Sequence, residues 1–198
     1  TSDLIVWKIT VNAEGSTRSS AFTEFEKSAR VMSKYLQTHG IPEKEITLSS
    51  VDISKRTKDF WDEDSRKYVT LEDGFSVSQT FTVSSNDLKR VEGVYQRISE
   101  LYNSGMDFSS EKPLYYYTKL NDLKMEMLNQ ASANAYERAQ TIAKGSDSKV
   151  GSVVSSTMGV FQIVGLNSDE EYSWGGTFNT SSKEKVASIT VKTTYRVK

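Results

Sequence analysis

The chain has 198 residues, no cysteine and a formal net charge of -1 at pH 7, and these properties exclude several classes of function. Without cysteine it cannot form zinc sites with thiolate ligands, thiol nucleophiles or redox pairs. A nearly balanced charge gives no general attraction to phosphate backbones, so we expect no nucleic-acid partner. No apolar run approaches the roughly 20 residues that cross a bilayer, so no membrane span is predicted.

The first strand and the first helix are predicted from the spacing of apolar residues. Within residues 4–11 the more apolar side chains alternate, which is typical of a strand with one face in the core. The hydroxyl-rich residues 16–20 then offer an N-cap, without fixing which residue it is. Apolar residues follow at helical spacing: Phe22, Phe25, Ala29, Met32 and Leu36. His39 and Gly40, with Pro42 beyond, predict the end of this helix.

The middle of the chain predicts two strands, a charged segment between them and a second helix. Residues 46–53 and 75–83 have strand patterns, and a change of parity within the first indicates a bulge or a twist. Residues 55–74 combine charged and aromatic side chains, which we interpret as the exposed tip of a long hairpin. The second helix is predicted over residues 88–102, with its end at Gly105.

The longest helical pattern begins at Leu120 and ends at Lys144, before Gly145. Its apolar positions fall on one broad face: Leu120, Leu123, Met127, Leu128, Ala131, Ala135, Ala139 and Ile142. We predict that this face is buried, because the alanines recur every four residues and let the helix backbone lie close against a sheet. Gly145 is expected to adopt the left-handed conformation that is common just after a helix.

The order of these patterns predicts an α+β fold with helices packed on an antiparallel or mixed sheet. Three more strand patterns complete the order β-α-β-β-α-β-α-β-β: residues 106–117, 150–163 and 186–197. Residues 165–183, rich in acidic residues, glycine and serine, predict a second exposed loop. We expect a single domain over residues 1–198, with a possible division into two lobes at about 1–84 and 85–198.

Few side chains indicate chemistry. Aromatic residues stand among acidic residues in both predicted loops: Trp61, Tyr68, Tyr172 and Trp174. Such rings anchor interfaces at small entropic cost, so they form the candidate contact surface, although plain loop packing explains them equally well. His39, the only histidine, is interpreted as a helix-end residue rather than a catalytic base. The acidic run at residues 62–64 lacks the spacing of a calcium loop. The glycines form no phosphate-binding series, so neither a metal nor a cofactor is predicted.

Several stretches resemble the SIMPL (DUF541) family. They are the first strand from Asp3 to Val11, the helix end with Leu36, His39, Gly40 and Ile41, the stretch from Ile46 to Ser49, and the strand from Phe75 to Val83. The most specific part is the helix with Ala131, Ala135, Ala139 and Ala143, followed by Lys149, Val150 and Gly151. The resemblance spans almost the whole chain. It implies an exported bacterial protein, periplasmic or associated with the outer membrane after removal of a signal segment, that is linked to envelope or oxidative stress and able to form oligomers. It supplies no catalytic residues.

Three classes of function fit these observations. The first choice is a non-enzymatic protein of the cell envelope that self-associates through strand edges and aromatic loops. The second is a module that binds a small ligand, an envelope polymer or an envelope protein between the loops of Trp61 and Trp174. The third is a hydrolase, which needs two carboxylates such as Asp62 and Glu170 in one cleft.

Overall fold

The structure is a computed structural model that describes residues 1–171 and 173–198, and its helices and antiparallel strands confirm the predicted α+β class. The strands are β1 Leu4–Gly15, β2 Ile46–Leu48, β3 Asp52–Asp62, β4 Lys67–Ser85, β5 Asp107–Ser110, β6 Leu114–Tyr116, β7 Val150–Met158, β8 Gln162–Gly165, β9 Lys185–Ser188 and β10 Val191–Val197. The α-helices are α1 Arg18–Thr38, α2 Leu88–Arg97 and α3 Leu120–Lys144, and two 3-10 helices span Glu43–Glu45 and Ile98–Ser104.

The chain divides into two compact units. The N-terminal unit comprises residues 3–114, and the C-terminal unit comprises residues 1–2 and 115–198. Ser2 belongs to the second of these because its backbone N–H donates to the backbone oxygen of Lys183 at 2.9 Å. The division therefore differs from the expected lobes, which met near residue 84. The reason is that α2 packs on β1 and β5 pairs with β1, so both remain with the first sheet.

β1 forms the centre of the N-terminal unit. It pairs antiparallel with β4 on one side and with β5 on the other, and α1 packs against it. The predicted core face is confirmed, since four of its side chains are 0% exposed: Ile5, Trp7, Ile9 and Val11. The indole of Trp7 donates from Nε1 to Oγ of Ser110 at 3.0 Å and meets the ring of Tyr95 edge-on at 5.7 Å. A bulky side chain is thus fully packed and hydrogen-bonded at the centre of the sheet.

α1 begins at a capping box and ends as predicted. Thr17 is the N-cap: its hydroxyl accepts from the backbone N–H of Ser20 at 3.1 Å, and the hydroxyl of Ser20 accepts from the backbone N–H of Thr17 at 3.0 Å. His39 is the C-cap, and Gly40 follows at φ 86°. The buried face is rotated from the predicted one, because Phe22 is 38% exposed. Its members are Ala21, Phe25, Ser28, Met32, Tyr35 and Leu36.

We expect Thr17→Ala to lower the free energy of unfolding by about 1 kcal/mol, because the backbone N–H of Ser20 loses its partner at the start of α1. Urea unfolding followed by circular dichroism measures the change. Thr23→Ala is the matched control, since this exposed threonine lies inside α1, where alanine is the better helix former. An equal loss in both variants would contradict the assigned cap.

Residues 55–74, predicted as the exposed loop at the tip of a long hairpin, are mostly exposed and do lie in a hairpin, but they are strand on both sides of a short turn rather than loop. β3 and β4 stay paired from Asp52 and Ser78 to Asp62 and Lys67. Charged side chains do not prevent this, because cross-strand hydrogen bonds satisfy the backbone whatever the side chains are. The alternation of apolar residues was predicted to shift within residues 46–53. The structure has a break there, because β2 ends at Leu48 and β3 begins at Asp52.

The C-terminal unit contains α3 and two separate strand pairs. α3 has the predicted bounds, but none of its residues is fully buried. The predicted apolar face is half-buried from Leu120 to Ala139, whereas Ile142 is 74% exposed, so full burial was the wrong expectation. α3 packs on β7 and β10, which pair only with each other within the described residues. A two-stranded ribbon is too narrow to cover the whole face of a helix.

The strands after α3 are more divided than predicted. β7 pairs with β10, and β8 pairs with β9, each antiparallel, so both of the long strand patterns split between two pairs. Gly145 does not adopt the left-handed conformation: its φ is -66°, and Asp147 has the positive φ of 49° instead. No helix formed by the described residues combines the length and the hydrophobicity needed to cross a bilayer.

Candidate interaction surface

The β3–β4 hairpin extends beyond the sheet of the N-terminal unit. The pairing of β1 with β4 ends at Gly15 and Phe75, whereas β3 and β4 remain paired as far as Asp62 and Lys67. We call residues 55–74 the arm. Among the strands that the structure describes, those of the arm pair only with each other beyond the end of β1. The arm is therefore a two-stranded ribbon with two open edges.

A bulge sets the base of the arm. The register of β3 against β4 shifts opposite Arg56, and Gly74 has a φ of 93° there. A Cβ atom at Gly74 would overlap the carbonyl oxygen of Gly15, so this position requires glycine both for its dihedral angle and for the close approach. Arg56 binds Glu14 at 2.7 Å and Asp73 at 3.4 Å. Arg56 of β3 is thus linked to β1 through Glu14 and to β4 through Asp73 at the base of the arm.

Both faces of the arm carry exposed apolar side chains. Trp61 and Tyr68 are opposite each other in the register, with ring centroids 5.3 Å apart and ring planes at 71°. They are 47% and 74% exposed. Phe60, Val69 and Leu71 alternate onto the opposite face, where Phe60 and Leu71 are 42% and 53% exposed. The arm is thus an exposed ribbon with apolar groups on two sides.

The four residues predicted as a contact surface are not all brought together. Trp61 and Tyr68 are in contact on the arm. Trp174 belongs to the C-terminal unit, where its side chain is 100% exposed. Tyr172 lies outside the described residues. The structure therefore contains one aromatic pair on the arm and a separate exposed indole in the other unit.

The acidic turn at the tip of the arm is held by local hydrogen bonds. Asp62 accepts from Oγ of Ser65 at 2.7 Å and from the backbone N–H of Asp64 at 3.2 Å. These bonds, that of Ser65 most strongly, lower the pKa of the Asp62 carboxyl group. No three His, Asp or Glu side chains among the described residues are grouped so that they could hold a metal ion. The turn carboxylates thus have a structural use.

A polar network organises residues 166–184 in the C-terminal unit. Asn179 is 5% exposed, and its Nδ2 donates to Oε1 of Glu170 at 2.6 Å. Oδ1 of Asn179 accepts from the backbone N–H of Ser182 at 2.9 Å and from Nζ of Lys185 at 3.2 Å. Nζ of Lys185 also donates to the backbone oxygens of Asn179 and Ser182, each at 2.6 Å. Burial lowers the pKa of Lys185, and the nearby charge of Glu170 opposes this shift.

The two carboxylates named for a hydrolase serve different segments. Asp62 bonds within the tip of the arm, and Glu170 bonds within the C-terminal unit. Oε2 of Glu170 accepts from the backbone N–H of Gly165 at 3.1 Å and from Oγ of Ser168 at 3.3 Å. The bond from Asn179 most strongly, followed by that from Gly165, lowers the pKa of the Glu170 carboxyl group. A carboxylate held ionised in this way is poorly suited to act as a general acid.

We expect the network around Glu170 to weaken in acid. Because the folded pKa of this carboxyl group is depressed, its contribution is present above the unfolded pKa, near the ordinary value of 4.5, and is lost as the pH falls through the folded pKa. The difference in stability between the parent protein and Glu170→Gln should therefore be largest at neutral pH and shrink below about pH 4.5. Thermal unfolding from pH 7 to pH 3 measures it, and a difference independent of pH would contradict the assignment.

His39 has the structural position that was predicted for it. Its Nδ1 lies 2.8 Å from the backbone oxygen of Tyr35 at the end of α1, and the two rings are 4.1 Å apart. The hydroxyl group of Tyr35 is buried and has no hydrogen-bond partner among the described residues. Burial, followed by the charge of Glu100, raises the pKa of this hydroxyl group. The pair packs the end of a helix.

Two cavities of the C-terminal unit were not predicted. One of about 330 Å³ has a mostly apolar lining, which includes Leu123, Met127 and Ile163 together with Lys185. Another of about 420 Å³ lies beside the exposed indole and is lined by Val160, Gln162, Ser173, Trp174 and Thr190. Their lining residues come from segments far apart in sequence, so no local pattern could indicate these cavities.

Comparisons with known proteins identify a family. The family model for SIMPL, described as a protein of unknown function (DUF541), matches residues 1–198. This match covers both units and confirms the resemblance that the strand and alanine-helix patterns indicated. No curated protein sequence matches the chain.

Proposed function

The chain belongs to the SIMPL (DUF541) family, and from this premise we propose that it is a non-enzymatic, exported protein of the bacterial cell envelope that works as a self-associated assembly. The family resemblance supports export to the periplasm or the outer membrane and a link to envelope or oxidative stress. Detecting the full-length product in the periplasmic or membrane fraction of cells tests the location. A product confined to the cytoplasmic fraction would count against it.

The observation that carries self-association is the exposed arm. A two-stranded hairpin alone is marginally stable in water, yet this one carries exposed side chains on both faces, including Phe60, Trp61, Tyr68 and Leu71. Apolar groups concentrated on a projecting ribbon are typical of a surface that another molecule covers. A second copy of the same chain is available wherever the protein is made.

Size-exclusion chromatography with light scattering tests self-association directly. We expect a mass that is a multiple of 22.2 kDa and that decreases on dilution if the assembly is reversible. A strict monomer at high protein concentration would overturn the proposal. Truncating the arm by joining residues 55 and 75 through a short turn should leave a monomer, because it removes the proposed contact surface. The variant should still fold, since the remaining sheet keeps its own core.

The proposal of a non-enzymatic role is supported by the use of the charged groups. Asp62 and Glu170 are occupied in local hydrogen bonds, and His39 caps a helix. Asp62, Glu170 and His39, the groups named above for a hydrolase, thus each have a structural role. Hydrolysis of ester, phosphate or glycoside substrates above the background rate would contradict this part of the proposal.

A binding module for a small ligand or an envelope polymer is the alternative, and the cavity beside Trp174 favours it. Tryptophan fluorescence tests this module. Trp7 is fully buried, so in a Trp61→Phe variant an added ligand would alter mainly the emission of Trp174. Unchanged emission across a panel of small molecules and envelope polymers would remove this alternative.

A further inference from the structure

The outer edge of β3 runs along the arm without a strand partner. Among the described strands β3 pairs only with β4, and residues 57–61 are all exposed. Such an edge presents backbone N–H and C=O groups that a further strand can bind. The β4 edge of the arm is open only above its base, where the backbone of Gly15 lies against Gly74. A strand that adds to the arm therefore finds the β3 edge more open.

The sequence of this edge is complementary to itself. When two identical strands pair antiparallel about a two-fold axis, one residue faces its own copy, and residues at equal distances on either side face each other. With Phe60 on the axis, Lys58 of each copy faces Asp62 of the other. Residues directly opposite lie on the same face of the sheet, so the two rings and the two pairs of opposite charges lie together.

The neighbouring registers lack this complementarity. With Asp59 on the axis, two aspartates face each other, and with Lys58 on the axis, two lysines do. With Trp61 on the axis, Asp59 faces Glu63. Like charges directly opposite each other destabilise a strand pair. The register with Phe60 on the axis is the one among these four that opposes unlike charges without also opposing like charges.

Pairing in this register also covers apolar surface. Within each arm Phe60 is opposite Val69, and Lys58 is opposite Leu71, so all four lie on one face. Two arms joined through β3 would form a four-stranded sheet. The row of side chains across its centre would be Val69 and Phe60 of one copy followed by Phe60 and Val69 of the other. The exposed fractions of Phe60 and Leu71, 42% and 53%, leave apolar area for this contact to remove from water.

We propose that two copies of this chain pair antiparallel through the β3 edges of their arms, with Phe60 on the two-fold axis and Lys58 facing Asp62 of the second copy. This inference rests on the proposed self-association and adds its surface, its register and the residues that select the partner. The partner is a second copy because the same edge carries both the lysine, Lys58, and the aspartate, Asp62, that face each other across the pair.

Disulfide cross-linking tests the register, because the chain contains no cysteine of its own. Facing residues in an antiparallel pair have Cα atoms about 4.5–5.5 Å apart, which is within the range that a disulfide spans. Phe60→Cys should therefore cross-link to a dimer under mild oxidation. Leu71→Cys, on the same face but on β4, is the matched control. It should cross-link at least about tenfold more slowly, because in each copy its Cβ lies one strand further from the two-fold axis. Faster cross-linking of Leu71→Cys would overturn the proposal in favour of the β4 edge.

Charge reversal provides a second test. Lys58→Glu places like charges opposite each other at two symmetric points, and we expect association to weaken about tenfold or more. Lys34→Glu, the same change at an exposed position of α1, should change it less than about twofold. Asp62→Lys should also weaken self-association, whereas mixing it with Lys58→Glu restores association, because the new lysine of one variant faces the new glutamate of the other. Equal effects of Lys58→Glu and Lys34→Glu, or no recovery in the mixture, would overturn the register.

These results separate this inference from the proposed function. A monomeric parent protein in light scattering contradicts self-association itself. An oligomeric parent protein whose Phe60→Cys variant fails to cross-link, and whose Lys58→Glu variant associates normally, contradicts only the use of the β3 edge.

Discussion

Replacing Trp7 by alanine is expected to lower the free energy of unfolding by about 3–5 kcal/mol. The indole is 0% exposed on the central strand, so its removal leaves a cavity between the sheet and its helices. The hydrogen bond to Oγ of Ser110 is lost as well. Because small domains are stable by only about 5–15 kcal/mol, the variant should unfold at a much lower urea concentration in circular dichroism.

Trp174→Ala is the matched control for this prediction. It deletes the same side chain at a position that is 100% exposed, and substitutions of this kind change stability by no more than about 0.5 kcal/mol. A Trp7→Ala variant within about 1 kcal/mol of the parent protein would show that the first sheet is not the core described above.

Asn179→Ala should be the most damaging single change in the C-terminal unit. It removes the acceptor of the backbone N–H of Ser182, one acceptor of Lys185 and the donor to Glu170. Leaving buried polar groups without partners costs about 1–3 kcal/mol each, so we expect a loss of about 2–4 kcal/mol. Hydrogen exchange should show weaker protection in β8 and β9 and unchanged protection in β1 and β4.

Asn129→Ala, on the exposed side of α3, is the control for the loss of an asparagine. It should be neutral or slightly stabilising, because alanine has the higher helix propensity. Loss of protection in β1 after Asn179→Ala would contradict the division of the chain into two units.

The core of the N-terminal unit was predictable because its signals are local. Alternation from Ile5 to Val11 fixes which face of β1 is apolar, and residues 16–20 contain the N-cap that the structure assigns to Thr17. Periodicity also placed both ends of α3. It could not indicate how much of α3 is covered, because that depends on the width of the partner surface, which here is two strands.

The arm and the candidate site were predicted less well for a related reason. Charged residues from Lys55 to Glu72 resemble a loop when side chains alone are considered, but the backbone gains its hydrogen bonds by pairing. The aromatic residues were correctly placed at the tip of a hairpin. That Trp61 and Trp174 belong to different units depends on which strands pair, and the role of Asn179 depends on contacts among distant residues.

The backbone bond between Ser2 and Lys183 has a consequence for biosynthesis. Residues 1–2 belong to a unit whose other residues, 115–198, follow the whole N-terminal unit in sequence. Residues 3–114 form a compact unit of their own, so this unit should be able to fold before residues 115–198 are available. Until β10 is available, α3 lacks one of the two strands on which it packs, so its half-buried apolar face is open to water.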